Sequence, residues 1–141
     1  MSDDLVFRMG EYAAHFPTDR LYARNHMWAQ SVGTERYRFG FAAYAVRLLQ
    51  DVYFLDWEVP AGALLIARQE IGQIESQKAE ASLYAPMAGT LTTLNTALLK
   101  DPSAVNVGAY DQGWLFEIAG RGEDLLTPEQ YLEHLTAVWE V

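Results

Sequence analysis

A single lysine, Lys78, stands in a polar stretch between two apolar, strand-like runs of the sequence. Residues 70–91 are EIGQIESQKAEASLYAPMAGTL, so an Ala-Pro-Met-Ala-Gly turn closely follows the second run. Two strands joined at such a tip form a hairpin, which would present the lysine amine to solvent on a firm scaffold. Pro86 and Gly89 suit the return turn behind it. The pattern indicates either an ordinary solvated lysine or an attachment point for a prosthetic group.

The other chemistry-bearing residues form no catalytic pattern. His15, His26 and His134 are far apart and lack metal-ligand spacing. Ser76 lies two residues before Lys78, but this spacing matches no nucleophile motif, so a hydrolase that uses Ser76 is a weak alternative. The absence of cysteine excludes disulfides and thiolate metal sites, so any thiol chemistry would have to come from a cofactor. The sequence therefore predicts no catalytic residues and no metal site.

The bulk composition favours one globular domain. With 141 residues, 50% of them hydrophobic and 13% aromatic, the chain can bury a core without covalent staples. The net charge of -9 disfavours nucleic acid and anionic membranes as partners, since phosphates would be repelled. The acidic N-terminus has no signal-peptide core, and no stretch approaches the ~20 apolar residues of a membrane span. These properties predict a cytoplasmic protein that binds neither nucleic acid nor membranes.

Hydrophobic periodicity predicts many short strands and a few helices. Alternating apolar residues favour strands within 21–41, 52–59 and 113–120, in addition to the strands on either side of Lys78. Helical spacing favours residues 42–51, and Asn95 as N-cap with Pro102 as a stop favours a short helix over 95–102. Residues 127–141 form an amphipathic helix with a capping box at its start. The sum predicts a small β-sandwich or barrel with peripheral helices.

Residues 72–95 resemble a known family. GQIESQKAEASLYAPMAGTLTTLN is similar to the lipoyl-lysine hairpin of glycine-cleavage H-proteins. HMW at 26–28, FGFAAYAVRLLQD at 39–51, NTALLKDPSAVN at 95–106, YDQGWLFEI at 110–118 and PEQYLEHL in the last helix also resemble that family. The similarity covers about residues 21–140. The positions that match the hairpin motif are Gly72, Glu75, Ser76, Lys78, Ala79, Tyr84, Ala85, Pro86 and Gly89.

This resemblance implies a mainly β, lipoyl-domain-like fold. The expected fold is a hybrid barrel-sandwich of two short antiparallel sheets, with short internal helices and a C-terminal amphipathic helix. Residues 21–141 would form the lipoyl-carrying domain, and residues 1–20 would be an N-terminal extension packed on or near it. The extension contains the aromatic residues Phe7, Tyr12 and Phe16, which favours packing over free movement.

The resemblance also implies a carrier protein rather than an enzyme. Lipoic acid would be attached covalently to Lys78 as an amide, and Glu75, Ser76 and Ala79 would help a lipoate-protein ligase or lipoyl transferase to recognise the hairpin. Dihydrolipoamide dehydrogenase is a further expected partner. Biotin is the competing cofactor, but the lysine of biotinyl domains normally has methionine on both sides, and here Gln77 and Ala79 flank it.

Two departures from the H-protein pattern bear on what the arm carries. The family has an acidic residue at the positions of Met27 and Ser82 in this chain, and these carboxylates would shelter a cationic load. With Trp28, these two residues are expected to line the cleft that receives the head of the arm. Their softer, less anionic character favours a sulfur-bearing load.

Three alternatives for the function follow from these departures. The main hypothesis is a carrier similar to the lipoate-binding proteins of bacterial sulfur oxidation, whose partner is a cytoplasmic heterodisulfide-reductase-like complex. The alternative is a glycine cleavage H-protein that carries the aminomethyl group between P-, T- and L-type enzymes. A non-lipoylated binding module that kept the sandwich is the third.

Overall fold

The computed structural model of the chain describes residues 4–139, which form two antiparallel sheets, a separate hairpin and four helices. The strands are β1 (Leu5–Met9), β2 (Tyr12–Phe16), β3 (Leu21–Tyr22), β4 (Met27–Gly33), β5 (Arg36–Phe41), β6 (Val52–Trp57), β7 (Leu64–Leu65), β8 (Glu70–Ser76), β9 (Glu80–Tyr84), β10 (Gly89–Leu94) and β11 (Phe116–Ala119). The helices are α1 (Ala43–Leu49), α2 (Ala97–Lys100), α3 (Ser103–Val107) and α4 (Pro128–Val138).

The two sheets divide the strands unequally. The larger sheet has the strand order β3-β4-β5-β11-β10-β7, and the smaller sheet has the order β6-β8-β9. Neighbouring strands are antiparallel throughout. This arrangement confirms the predicted mainly β fold with two antiparallel sheets, short internal helices and a C-terminal helix.

Apolar side chains from both sheets form the main core. Strand β8 is an example: Ile71 and Ile74 are buried in this core, whereas Gln73 between them is exposed. A sheet that packs on one face buries side chains on that face and leaves the others in solvent. Phe39 and Phe116, from neighbouring strands of the larger sheet, meet in this core with ring centroids 5.6 Å apart.

The return turn behind the lysine hairpin depends on Gly89. Its φ is +152°, and a Cβ built there would lie 2.3 Å from the carbonyl oxygen of Ala119 on the neighbouring strand. No side chain fits at such a distance, so glycine alone allows β10 to approach β11 this closely. This position explains why a glycine follows the Ala-Pro-Met-Ala run.

The segment after β10 differs from the sequence prediction. Asn95 does not cap a helix: Thr96 is the N-cap residue of α2, and it makes no side-chain capping bond. The Asn95 amide instead donates hydrogen bonds to the carbonyl oxygens of Gln112 and Trp114, at 3.2 and 2.7 Å. α2 ends at Lys100, shortly before Pro102, and Pro102 is the N-cap residue of α3, a helix that the sequence analysis did not predict. Asn95 is buried, and its amide forms hydrogen bonds with carbonyl groups of a loop rather than with the N–H groups of a helix end.

The C-terminal helix begins as predicted. The Thr127 hydroxyl accepts a hydrogen bond from the backbone N–H of Gln130, and the Gln130 side chain accepts one from the Thr127 N–H. We expect Thr127→Ala to lower the free energy of unfolding by about 1 kcal/mol, because it removes one half of this capping box. Chemical denaturation measures the change. Thr136→Ala, in the last turn of the same helix, is the control, and an equal loss in both variants would contradict the capping role.

The N-terminal residues form a hairpin that packs beside the last helix. Strands β1 and β2 pair with each other and not with either sheet. Phe16 of β2 packs edge-on against Tyr131 of α4, with ring centroids 5.3 Å apart, and Phe7 of β1 packs against Trp139 at 6.2 Å. The hairpin, α1 and α4 thus share a second apolar core that is distinct from the one between the sheets.

Candidate functional site: the lysine-bearing hairpin

Lys78 lies in the three-residue turn, residues 77–79, between β8 and β9. Ser76 closes this turn: its backbone N–H donates to the carbonyl oxygen of Ala79 at 2.9 Å. The Ser76 hydroxyl also donates to that oxygen at 3.0 Å, and it accepts from the Ala79 N–H at 3.2 Å. These three bonds fix both ends of the turn, so the position of Lys78 is set by β8 and β9 rather than by a free loop.

The turn is also bound to the end of α1. The Lys78 N–H donates to the carbonyl oxygen of Leu49 at 3.2 Å, and the Gln77 N–H donates to that of Gln50 at 3.0 Å. Gln50 and Asp51 both have positive φ, 52° and 42°. Such values are unfavourable for residues other than glycine. The chain adopts them here where it leaves α1 and directs its carbonyl groups at the lysine turn.

A buried amide–backbone contact supports this region from the other side. The Asn106 side chain of α3 accepts from the Val52 N–H at 2.8 Å and donates to the Val52 carbonyl oxygen at 3.0 Å. Val52 begins β6 and pairs with Ser76. Sequence reasoning missed Asn106, because a lone amide in a short helix carries no recognisable motif.

The side chain of Lys78 is available for modification. Lys78 is exposed, and within residues 4–139 its ε-amine has no hydrogen bond or ion pair. The protein contains only one other lysine, Lys100, which ends α2. A solvent-facing amine on a fixed backbone fits an amide-linked group, since attachment would break no contact of the protein.

Carboxylates lie next to Ser82 on the same hairpin. Ser82 pairs with Gln73, and it lines an open cavity of about 320 Å³ together with Glu75 and Glu80. Glu75 and Glu80 face each other across β8 and β9. The sequence analysis expected a less anionic surface at position 82, but two carboxylates remain on this side of the hairpin. Two carboxylates in one cavity attract cations.

The structure does not bring Met27 and Trp28 to Ser82. Met27 is 2% exposed in the core between the sheets, and Trp28 is 1% exposed in the second core. The Trp28 indole donates to the carbonyl oxygen of Ala109 at 2.7 Å. Ser82 lies on the exposed face of its sheet, opposite Gln73. In this structure the side chains of Met27 and Trp28 are buried in the two cores. A cleft that these two residues line together with Ser82 stays a prediction.

His26 is a structural residue rather than a ligand. Its Nδ1 lies 3.0 Å from the Tyr131 hydroxyl, and its ring lies on the ring of Tyr44 at a centroid distance of 4.5 Å. Burial, aided by the nearby His134, lowers the pKa of His26 to about 4. Within residues 4–139 no group of three or more His, Asp or Glu side chains could hold a metal ion. In the same range no helix is long and apolar enough to cross a membrane.

The sequence and the fold of this chain are similar to those of known proteins. The sequence model of the family described as Glycine cleavage H-protein matches residues 20–138. The chain belongs to the glycine cleavage H-protein family. A glycine cleavage system H protein from Rubrobacter xylanophilus is 39% identical over 124 residues, which cover 86% of this chain and 96% of that protein. One from Stenotrophomonas maltophilia is 34% identical over 127 residues, with 86% and 95% covered.

A solved structure shows the same fold. The crystal structure of a glycine cleavage system H protein from Mycobacterium marinum superposes with a TM-score of 0.74 at 28% identity, covering 86% of this chain and 98% of that one. Members of this family are carrier subunits and not catalysts, and their lipoic acid is attached covalently to a lysine. The predicted family, cofactor class and carrier role are therefore confirmed, whereas the comparisons do not support sulfur oxidation.

The closing bonds of the turn make Ser76 a test of how the lysine is held. We expect Ser76→Ala to slow lipoylation about fivefold, because it removes both hydroxyl bonds to Ala79, together worth about 1 kcal/mol at this partly buried position. Initial rates of loading by a lipoate-protein ligase, followed by intact mass, measure the effect. The control Ser31→Ala loses only a bond to Gly33 in an exposed strand end, and slowing of both variants alike would contradict the role of Ser76.

Proposed function

We propose that this H-protein carries its lipoyl group on Lys78. The observation that supports this most is the backbone docking of the lysine turn, in which Lys78 and Gln77 bond to the end of α1 while the amine faces solvent. The bound group would supply a dithiolane on a long flexible chain, which raises the effective concentration of a covalently held intermediate at each partner enzyme. The protein supplies a fixed point of attachment.

The hairpin recognition residues have distinct tasks in this proposal. Ser76 holds the turn closed, and Ala79 provides the backbone groups that Ser76 binds. Glu75 lies on β8 just before the turn and paired with Glu80, so it presents a carboxylate to an approaching enzyme. A lipoate-protein ligase or lipoyl transferase would read these groups together with the amine.

We infer that the system served by the carrier is glycine cleavage. The curated relatives match this chain over almost their whole length and are named for that system. The cavity lined by Glu75, Glu80 and Ser82 is anionic, which suits the cationic aminomethyl load of glycine cleavage. P-, T- and L-type enzymes, the last a dihydrolipoamide dehydrogenase, would be the partners.

Sulfur oxidation is the second candidate, and one observation favours it. Neither Met27 nor Ser82 is acidic, so a carrier of this kind lacks two charges that a cationic load would use. A surface with fewer acidic groups suits a neutral sulfur load better than a cationic one. The partner in this case would be a heterodisulfide-reductase-like complex.

The intact mass of the protein from its native host tests the attachment. Purified without reductant and mapped by peptide, the protein is expected to carry one lipoyl-sized increment on Lys78. An unmodified lysine in cells whose other lipoylated enzymes are active would overturn the proposal and leave a binding module. Extra sulfur on the increment would favour sulfur oxidation.

Reconstitution separates the two systems. The lipoylated protein is expected to support glycine-dependent turnover with purified P-, T- and L-type enzymes. Lack of turnover by a fully loaded protein, where a Rubrobacter xylanophilus H protein works in parallel, would overturn the glycine cleavage assignment without affecting Lys78.

A further inference from the structure

Exposed apolar side chains lie on the elements next to the lysine turn. Tyr53 on β6 is 62% exposed, and Val107 at the end of α3 is 89% exposed. Leu48 in α1 and Phe54 on β6 are also exposed. These four residues are called the tip-side apolar surface below. Several large apolar side chains left in water on adjoining elements are typical of an interaction site.

The contacts that hold the turn also position this surface. Val52 pairs with Ser76 at the base of the turn and bonds through both backbone groups to Asn106. Tyr53 directly follows Val52, and Val107 directly follows Asn106. The two exposed side chains therefore come from residues adjacent to the contact that supports the turn.

A β-bulge directs Tyr53 outward. The pairing of β6 with β8 shifts between Val52 and Phe54, so Tyr53 has no partner residue on β8. A bulge inserts one residue into a strand, and such bulges often re-aim a side chain beside a functional site. The bulge interrupts the hydrogen bonding between β6 and β8. Burial of Tyr53 does not offset this loss, because Tyr53 stays exposed.

Acidic residues border the tip-side apolar surface. Phe54 lies opposite Glu75, which lies opposite Glu80. Asp51 is exposed just before β6, two residues from Tyr53. A complementary partner would have an apolar centre and Lys or Arg side chains around it.

One class of partner must come close to the lysine turn. An enzyme that acts on the dithiolane meets the far end of a long arm and can stay away from the hairpin. The enzyme that attaches lipoate must instead reach the lysine amine itself, within one side chain's length of the backbone. An apolar patch with Lys or Arg side chains around it, beside the active site of that enzyme, would complement the tip-side apolar surface and its acidic border.

We infer that the tip-side apolar surface is the docking site for the ATP-dependent lipoate-attaching enzyme. The inference rests on the proposed attachment at Lys78. ATP and lipoate form lipoyl-AMP on the enzyme with release of pyrophosphate, and the neutral amine of Lys78 attacks its acyl carbon. The C–N amide bond forms, the bond from the acyl carbon to the phosphate oxygen breaks, AMP leaves, and the amine proton passes to solvent. No redox change occurs.

Loading kinetics of the full apo-protein test this inference. The probe is a bacterial lipoate-protein ligase with lipoate and Mg-ATP, and initial rates are followed by intact mass over a range of carrier concentrations. We expect Tyr53→Ser with Val107→Ser to lower kcat/KM about tenfold, mainly through KM, as for loss of central contact residues. The control variants Leu64→Ser and Ile66→Ser remove apolar side chains of similar exposure, 80% and 72%, from around β7 of the other sheet. They are expected to load at the wild-type rate.

Each contrary result has a definite meaning. Unchanged loading of the Tyr53–Val107 variant, or an equal loss in the β7 controls, overturns the docking site while Lys78 stays the attachment residue. If wild-type protein takes up no lipoate on Lys78, the proposed function fails and this inference fails with it. If the double substitution converts a dimer in solution to a monomer and leaves loading unchanged, the surface is a self-contact and the inference is also overturned. Thermal melts of each variant verify that the fold is retained.

Discussion

Lys78→Arg is expected to abolish lipoyl loading and to leave the fold and stability of the protein unchanged. Arginine keeps the positive charge and the length of the side chain, but its guanidinium stays protonated and does not act as an acyl acceptor. The lysine amine has no partner within residues 4–139 that the substitution could break. We expect the lipoyl mass increment to fall from one per chain to none after incubation with ligase, lipoate and ATP.

The protein offers a closely matched control for this experiment. Lys100→Arg makes the same chemical change at the only other lysine, also exposed, at the end of α2. This variant should load as the wild type does. Loading of Lys78→Arg to the wild-type level, or loss of loading in Lys100→Arg alone, would move the attachment site and would sink the proposed role of the hairpin.

Acidification is expected to destabilise the protein through His26. The pKa of this imidazole is about 4 in the folded protein, against 6.5 as its ordinary value, chiefly because it is buried and secondarily because His134 is near. Below pH 6.5 the His26 imidazole therefore binds a proton in the unfolded chain, whereas in the folded chain it stays neutral until about pH 4. Stability is therefore fully present above pH 6.5 and falls toward pH 4, by about 3 kcal/mol from this residue.

A comparison of two proteins isolates this contribution from the titration of carboxylates. We expect the free energy of unfolding of His26→Asn, measured with urea at several pH values, to vary less between pH 6.5 and pH 4.5 than that of the wild type. Asparagine tolerates the positive φ of 71° at this position. If the free energy of unfolding changes equally with pH in the two proteins, the surroundings of His26 do not lower its pKa. The exposed His15→Asn serves as the control for loss of a histidine.

Much of the fold could be predicted because local signals agreed with the tertiary structure. The α4 capping box, the start of α1 and the strands on either side of Lys78 each depend on residues close in sequence. Asn95 could not be assigned correctly, because an asparagine before a helical run has the same local pattern whether it caps the helix or binds a distant loop. Its actual acceptors lie 17 and 19 residues away.

The position of Lys78 at a hairpin tip could be predicted, and the surroundings of the tip could not. Residue type and turn chemistry left two interpretations of Lys78 open, and the resemblance to H-proteins favoured one of them. The bonds from α1 and from Asn106 depend on how three elements meet. The expectation of a less anionic cleft was based only on Met27 and Ser82. The structure adds Glu75 and Glu80 from the paired strands, and cross-strand neighbours of this kind become visible only when the register is known.

The aromatic contacts between the first and last segments impose an order on how the protein is made. Phe7 and Phe16 are synthesised well before their partners Trp139 and Tyr131. Domains generally begin to fold from the N-terminus during synthesis, but this second core cannot be completed until α4 has been synthesised. Because Tyr44 of α1 belongs to that core, the start of α1 gains its final packing only after α4 has been made.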